Sequence, residues 1–161
     1  MSIKKVKPNG SFISGKFIPK NPSKYIGDIN NIICRSSWET RFCNFCDSNE
    51  KILKWSSEPI GIQYYSKLDN KVHTYYVDFY IRVERHDGKV DEMILEIKPQ
   101  RQTKKPILES QNPTAKALKA HNERLKVWIT NMSKFEAAKE WAEKRGFRFA
   151  IVDENFLFKN K

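Results

Sequence analysis

Residues Tyr75 to Gln100 read YYVDFYIRVERHDGKVDEMILEIKPQ. Two runs rich in Val, Ile, Tyr and Phe flank the polar segment ERHDGK, residues 84–89. β-branched and aromatic runs fit a pleated strand, and a segment holding Asp-Gly fits a hairpin turn. The stretch therefore predicts two antiparallel strands. The loop decides which residues face each other. A two-residue Asp87-Gly88 turn sets Phe79 opposite Glu96 and Val77 opposite Lys98, which mixes apolar and charged side chains on both faces. A three-residue loop, His86-Asp87-Gly88, puts Gly88 where such loops need a left-handed backbone. It sets Phe79 against Leu95, Ile81 against Met93 and Val77 against Ile97, so that one face is uniformly apolar. A one-residue slip turns every side chain over, so the second register is the expected one.

That register has a cost. Asp78 then stands across from Glu96, and Lys98 lies two residues further along the same face, opposite Tyr76. Facing carboxylates repel. A shared proton would relieve the repulsion by raising one pKa, and so would a divalent cation held by both acids. Hard oxygen ligands suit Mg²⁺ or Mn²⁺. A lysine beside such an ion can meet a bound anion, and the three groups together suit a phosphodiester. The plainer alternative is a solvated Asp–Lys–Glu cluster on a half-exposed sheet.

Upstream, Ser36 and Glu39 have the spacing of a capping box, and Trp38, Phe42 and Phe45 follow at helical intervals. This predicts a helix over residues 37–47. KILKWSSEPIGIQYY predicts a strand broken near Pro59 and Gly61, SKLDNK a turn, and VHTYYVDFYIRV one long strand. Beyond Pro99 comes a loop with Arg101, Lys104 and Lys105. Asn112-Pro113 predicts a helix start, with Gly146 as its C-terminal cap. Ser133 and Glu136 repeat the capping-box spacing, so this region reads as two helices or one bent helix. FRFAIV, residues 147–152, predicts a last buried strand. The pattern is that of an α/β domain, a central mixed sheet flanked by helices.

The chain has 161 residues and a net charge of +11, which suits one domain with a polyanionic partner, nucleic acid before an anionic membrane surface. No apolar run approaches the ~20 residues of a membrane span, and no signal-peptide pattern opens the sequence, so the expected setting is a cytoplasm. Residues 1–27 hold six lysines and no acid and predict an extended basic arm, with 28–161 as the domain proper. The arm reads either as a solubilising tail or as a segment that binds nucleic acid or a partner. Cys34, Cys43 and Cys46 are odd in number, against a disulfide framework. Cys43 and Cys46 lack two further ligands for zinc and are expected in the core. Lys16, Lys20, Arg101, Lys104, Lys105 and Lys134 are candidate nucleic-acid contacts. Glu58, beside Pro59, is an acid near the sheet with a structural role at a bulge as its simpler reading.

Taken together, RSSWE, WSSEPI, YYVDFYI and LEIKP resemble the PD-(D/E)XK nuclease superfamily, in its TnsA-like branch. Within that branch they look like the nucleases that complete the heads of T-even-type tailed phages. The resemblance spans about residues 36–153 and implies a restriction-endonuclease-like core. Asp78 matches the motif aspartate, Glu96 and Lys98 match E-x-K, and Glu39 matches an acid many members carry on the preceding helix. Val77 stands where the nominal motif has proline. The resemblance implies a Mg²⁺-dependent endonuclease of low sequence specificity acting on double-stranded DNA, with Mn²⁺ as a substitute. Asp78, Glu96, the Ile97 carbonyl and Glu39 would serve the metal, and Lys98 the charge that builds during hydrolysis. It also implies work in the host cytoplasm or the virion, on DNA ends before tail joining, with head, portal or neck proteins as partners. Glu39 retains its simpler reading as a helix cap. The alternative for the whole chain is a non-catalytic DNA-binding virion or connector protein on the same fold.

Overall fold

The computed structural model describes residues 15–159. Two short strands, β1 (Gly15–Lys16) and β2 (Ile33–Cys34), pair antiparallel and lead into helix α1 (Ser37–Ser48). Five strands follow: β3 (Ile52–Ser57), β4 (Gly61–Ser66), β5 (Lys71–Tyr76), β6 (Phe79–Glu84) and β7 (Val90–Ile97). A helical turn α2 (Gln100–Thr103), the long helix α3 (Ala115–Glu143), strand β8 (Arg148–Val152) and a turn α4 (Glu154–Leu157) complete the order. None of the described helices is long and apolar enough to cross a membrane.

The central sheet has the order β3-β6-β7-β8. It is mixed, because β7 and β8 run parallel while the other neighbours run antiparallel. Helix α1 covers one face, where Phe42, Cys43 and Cys46 join Trp55, Phe79, Ile81, Leu95 and Ile97. Helix α3 covers the other, where Ala138 and Ala142 join Val77, Ile94, Ile62 and Tyr75. This is the restriction-endonuclease-like α/β layering expected from the sequence. All three cysteines are buried thiols, and the close pair is Cys34 with Cys43, Sγ to Sγ 3.3 Å.

The β6–β7 register is the expected one: Phe79 faces Leu95 and Ile81 faces Met93. Arg85 N–H donates to the Lys89 carbonyl at 2.8 Å around the three loop residues, and Gly88 sits at φ +77°. The long strand predicted through Val77 and Asp78, however, is two strands in two sheets. β5 pairs only with β4, and the β6 ladder begins at Phe79. Asp78 leaves the ladder because its carbonyl accepts the Glu58 N–H (2.9 Å) and its side chain accepts the Ile97 N–H (2.7 Å). Val77 is therefore not paired with Ile97 on the Phe79 face; it packs with Ile94 on the α3 face. Nor is that second face half-solvated, since Ile94 and Glu96 are both buried.

The break between β3 and β4 falls where expected, with Glu58 in the left-handed region at φ +45° just before Pro59. Helix α1 starts at Ser36, whose hydroxyl accepts the Glu39 N–H at 3.1 Å. Helix α3 starts later than Asn112-Pro113 predicts, at Thr114, whose hydroxyl accepts the Ala117 N–H at 3.1 Å. It is a single helix. Ser133 caps nothing and donates its hydroxyl to the Ile129 carbonyl at 3.2 Å. Gly146 turns the chain after it at φ +71°, as expected.

Residues 1–14 of the predicted arm lie outside the described residues. Residues 15–27 hold β1 and a single 3-10 turn, Pro22–Lys24, and are fixed to the domain. Buried Asp47 accepts the N–H groups of Lys20 (2.8 Å) and Asn21 (3.1 Å). Lys24 Nζ donates to the carbonyls of Cys46, Asp47 and Asn49 at 2.8, 3.0 and 2.7 Å, which satisfies carbonyls the end of α1 leaves open. Burial lowers the pKa of that ammonium below the usual lysine range. Phe17 and Tyr25 set their ring edges against Trp55.

Candidate active site

The β5–β6 break places Asp78 beside the end of β7. Its Oδ2 is held by the Ile97 N–H, so the strand bearing the second acid fixes the first. Glu96 points from β7 into a closed environment and is 4% exposed. Its Oε1 lies 2.9 Å from Lys98 Nζ, and its Oε2 is buried with no hydrogen-bond partner. Lys98 is tied to the far strand, its N–H donating to the Val152 carbonyl at 3.0 Å. Aspartate, glutamate and lysine thus meet where β6, β7 and β8 come together at one end of the sheet.

Burial pushes the Asp78 carboxyl up to about 7, and the charge of Glu96 pushes the same way. The Ile97 N–H and the Lys98 charge oppose the shift without cancelling it. This is the electrostatic cost read from the hairpin register, now made larger by desolvation. A buried carboxylate oxygen without a donor, beside a second crowded acid, is a donor set that fits a hard divalent cation. Among the described residues no three Asp, Glu, His or Cys side chains form a closed cluster, so the acids present a pair.

Glu39 lines a cleft of about 480 Å³ together with Arg35, Trp38, Ile97, Lys98 and Gln102. Its charge raises the Asp78 pKa further, after Glu96. It also caps α1: Oε2 accepts the Arg35 N–H at 2.7 Å and Oε1 accepts the Ser36 hydroxyl at 3.1 Å. Glu39 therefore caps its helix, as its simpler sequence reading has it, while its side chain also lines the cleft. Glu58 forms an ion pair with Arg35 at the rim. Cys43 and Cys46 are core residues.

The candidate nucleic-acid residues divide. Lys134 sits on α3 with Nζ 5.8 Å from the Tyr64 ring and 5.6 Å from the Tyr75 ring. Arg101, Lys104 and Lys105 line a groove on the far side of Gln102. Lys20 lies at the C-terminal end of α1, a helix length from Glu39, and Lys16 pairs with Ile33 in the small sheet. Sequence reasoning missed Tyr75. Its hydroxyl is buried without a partner, and burial, then the charges of Glu96 and Asp78, raise its pKa. A residue read as mid-strand gave no sign of this, because the break that turns it toward the acids was not foreseen.

Paired acids beside a lysine at one end of a mixed sheet make a nuclease type of centre, and the comparisons agree on the class. The family model described as TnsA-like endonuclease N terminal matches residues 49–154. The chain belongs to this TnsA-like endonuclease family. It is also similar to the head completion nuclease of Enterobacteria phage T4, 38% identical over 144 residues, covering 89% of this chain and 93% of that protein. No solved structure gives a significant match.

Proposed function

We propose that the protein is a Mg²⁺-dependent endonuclease that hydrolyses double-stranded DNA with little sequence preference. The observation that carries this reading is the buried, partnerless Oε2 of Glu96 beside the crowded carboxyl of Asp78. Asp78 and Glu96 would hold the ion, with the Ile97 carbonyl and Glu39 as further ligands, directly or through water. A bound Mg²⁺ or Mn²⁺ supplies Lewis acidity and a water of lowered pKa. The chain's own residues do the rest. The Ile97 N–H keeps the Asp78 carboxylate in place. The Lys98 ammonium, close to Glu96 Oε1, offsets negative charge that builds on the phosphate as the water adds and the strand oxygen leaves.

The likeness to a phage head completion nuclease supports a place in virion assembly, with packaged DNA ends as substrate before tail joining and head, portal or neck proteins nearby. The net charge of +11 supports a DNA partner. Supercoiled plasmid incubated with the protein tests the reading. Nicked and linear products are expected with Mg²⁺ or Mn²⁺ and none with EDTA. Intact plasmid under every metal condition would sink it and favour a non-catalytic DNA-binding role.

A further inference from the structure

The chain between α2 and α3 folds back along α3 and leaves a groove of about 530 Å³, within the size range of ligand clefts. Arg101, Lys104 and Lys105 line one side; Arg124 and Trp128 line the other. Among the described residues none of these four cations is in an ion pair, whereas the acid in the lining, Glu123, is already paired with Lys126 at 3.1 Å. The groove therefore presents uncompensated positive charge. Lys105 Nζ stands 5.9 Å from the centroid of the Trp128 ring, at the loose end of cation–π range. That contact is weak enough for a flat ligand to replace. Gln102 lines both this groove and the cleft of Glu39 and Lys98, so the two adjoin.

Cations alone would serve a duplex, whose bases are stacked on one another and show no free faces. An aromatic ring set among cations serves an unpaired strand, which offers a phosphate and a base face at each nucleotide. We propose that this groove binds single-stranded DNA, with a base stacked on Trp128 and its phosphates on Arg101, Lys104, Lys105 and Arg124. The nuclease would thus grip its substrate where strands are unpaired beside the scissile bond. The placement beside a scissile bond rests on the nuclease reading; the strand-binding itself does not.

Fluorescence anisotropy in EDTA, with labelled oligo(dT) and a labelled blunt duplex, tests the groove. Trp128→Ala should weaken oligo(dT) binding by about tenfold while duplex binding changes far less. Trp128→Phe, which keeps a ring, should restore most of the affinity. Arg124→Ala should lower the salt dependence of binding by about one phosphate contact, whereas Trp128→Ala leaves that slope unchanged. Oligo(dT) affinity indifferent to Trp128→Ala would overturn the proposal and point to a protein segment as occupant. Equal losses on both probes would overturn it too. If the wild type cuts no plasmid yet Trp128 still governs oligo(dT) binding, the nuclease reading falls and the groove stands.

Discussion

The main-chain N–H of Ile97 donates to Oδ2 of Asp78 at 2.7 Å, so one strand's backbone holds the acid that the other strand supplies. Asp78→Asn keeps an oxygen for that N–H and removes only the charge. Plasmid cleavage should fall by orders of magnitude with the fold intact. Asp78→Ala loses the clamp as well and should cost about 1 kcal/mol more stability in urea unfolding. Wild-type nicking by either variant would remove Asp78 from the site.

The same acid predicts a pH dependence. Its carboxyl titrates at about 7 in the fold, against ~3.9 in an unfolded chain. Between those values the folded state binds the extra proton, so this group makes stability fall as pH rises from ~4 to about 7 and level off above. In EDTA, Asp78→Asn should lack that fall and should melt above wild type at pH 8 but not at pH 4. Thermal melts at the two pH values check the sign.

Lys98 neutralises Glu96 in a buried place, with Nζ 2.9 Å from Oε1. Lys98→Met should abolish cleavage and, by leaving a buried carboxylate alone, cost roughly 2–4 kcal/mol in metal-free buffer. Adding Glu96→Gln should recover much of the stability and none of the activity. Urea unfolding of the single and double variants measures both effects.

Glu39 serves the helix cap and faces the cleft. Glutamine can keep a cap oxygen, so Glu39→Gln should cost less than about 1 kcal/mol. Cleavage should nevertheless fall more than the melting temperature does, because a charge beside the acid pair is lost. Full activity would leave Glu39 a cap alone.

Asp47 is 3% exposed and holds the incoming chain through the N–H groups of Lys20 and Asn21. Asp47→Ala strips two donors of their acceptor and should cost about 2–3 kcal/mol. Limited proteolysis should then cut within residues 15–27, where the wild type resists.

What the sequence disclosed follows a physical line. The β6–β7 register was legible because face alternation and Gly88 both select it, and it put Glu96 and Lys98 near Asp78, although Asp78 itself stands outside the ladder. The break at Asp78 was not legible. Val77 and Phe79 favour strands locally, and the groups that pull Asp78 out, the N–H groups of Glu58 and Ile97, are distant in sequence. The start of α3 was misread by favouring Pro113 over the hydroxyl of Thr114. The docking of residues 15–27 depends on Asp47, whose partners no local pattern announces.

The parallel pairing of Ile97 with Val152 spans the whole of α3 in sequence. Pairings between such distant segments are the slow, topology-limited part of folding. Lys98 is anchored by that pairing, through its N–H to Val152. A chain emerging from the ribosome thus carries both acids long before the strand that seats the lysine exists. On the proposed nuclease reading, in which Lys98 serves the reaction, the site is complete only once β8 has paired, so a C-terminally truncated chain should cut DNA poorly. Truncations that remove β8 should lose activity outright, not by degrees.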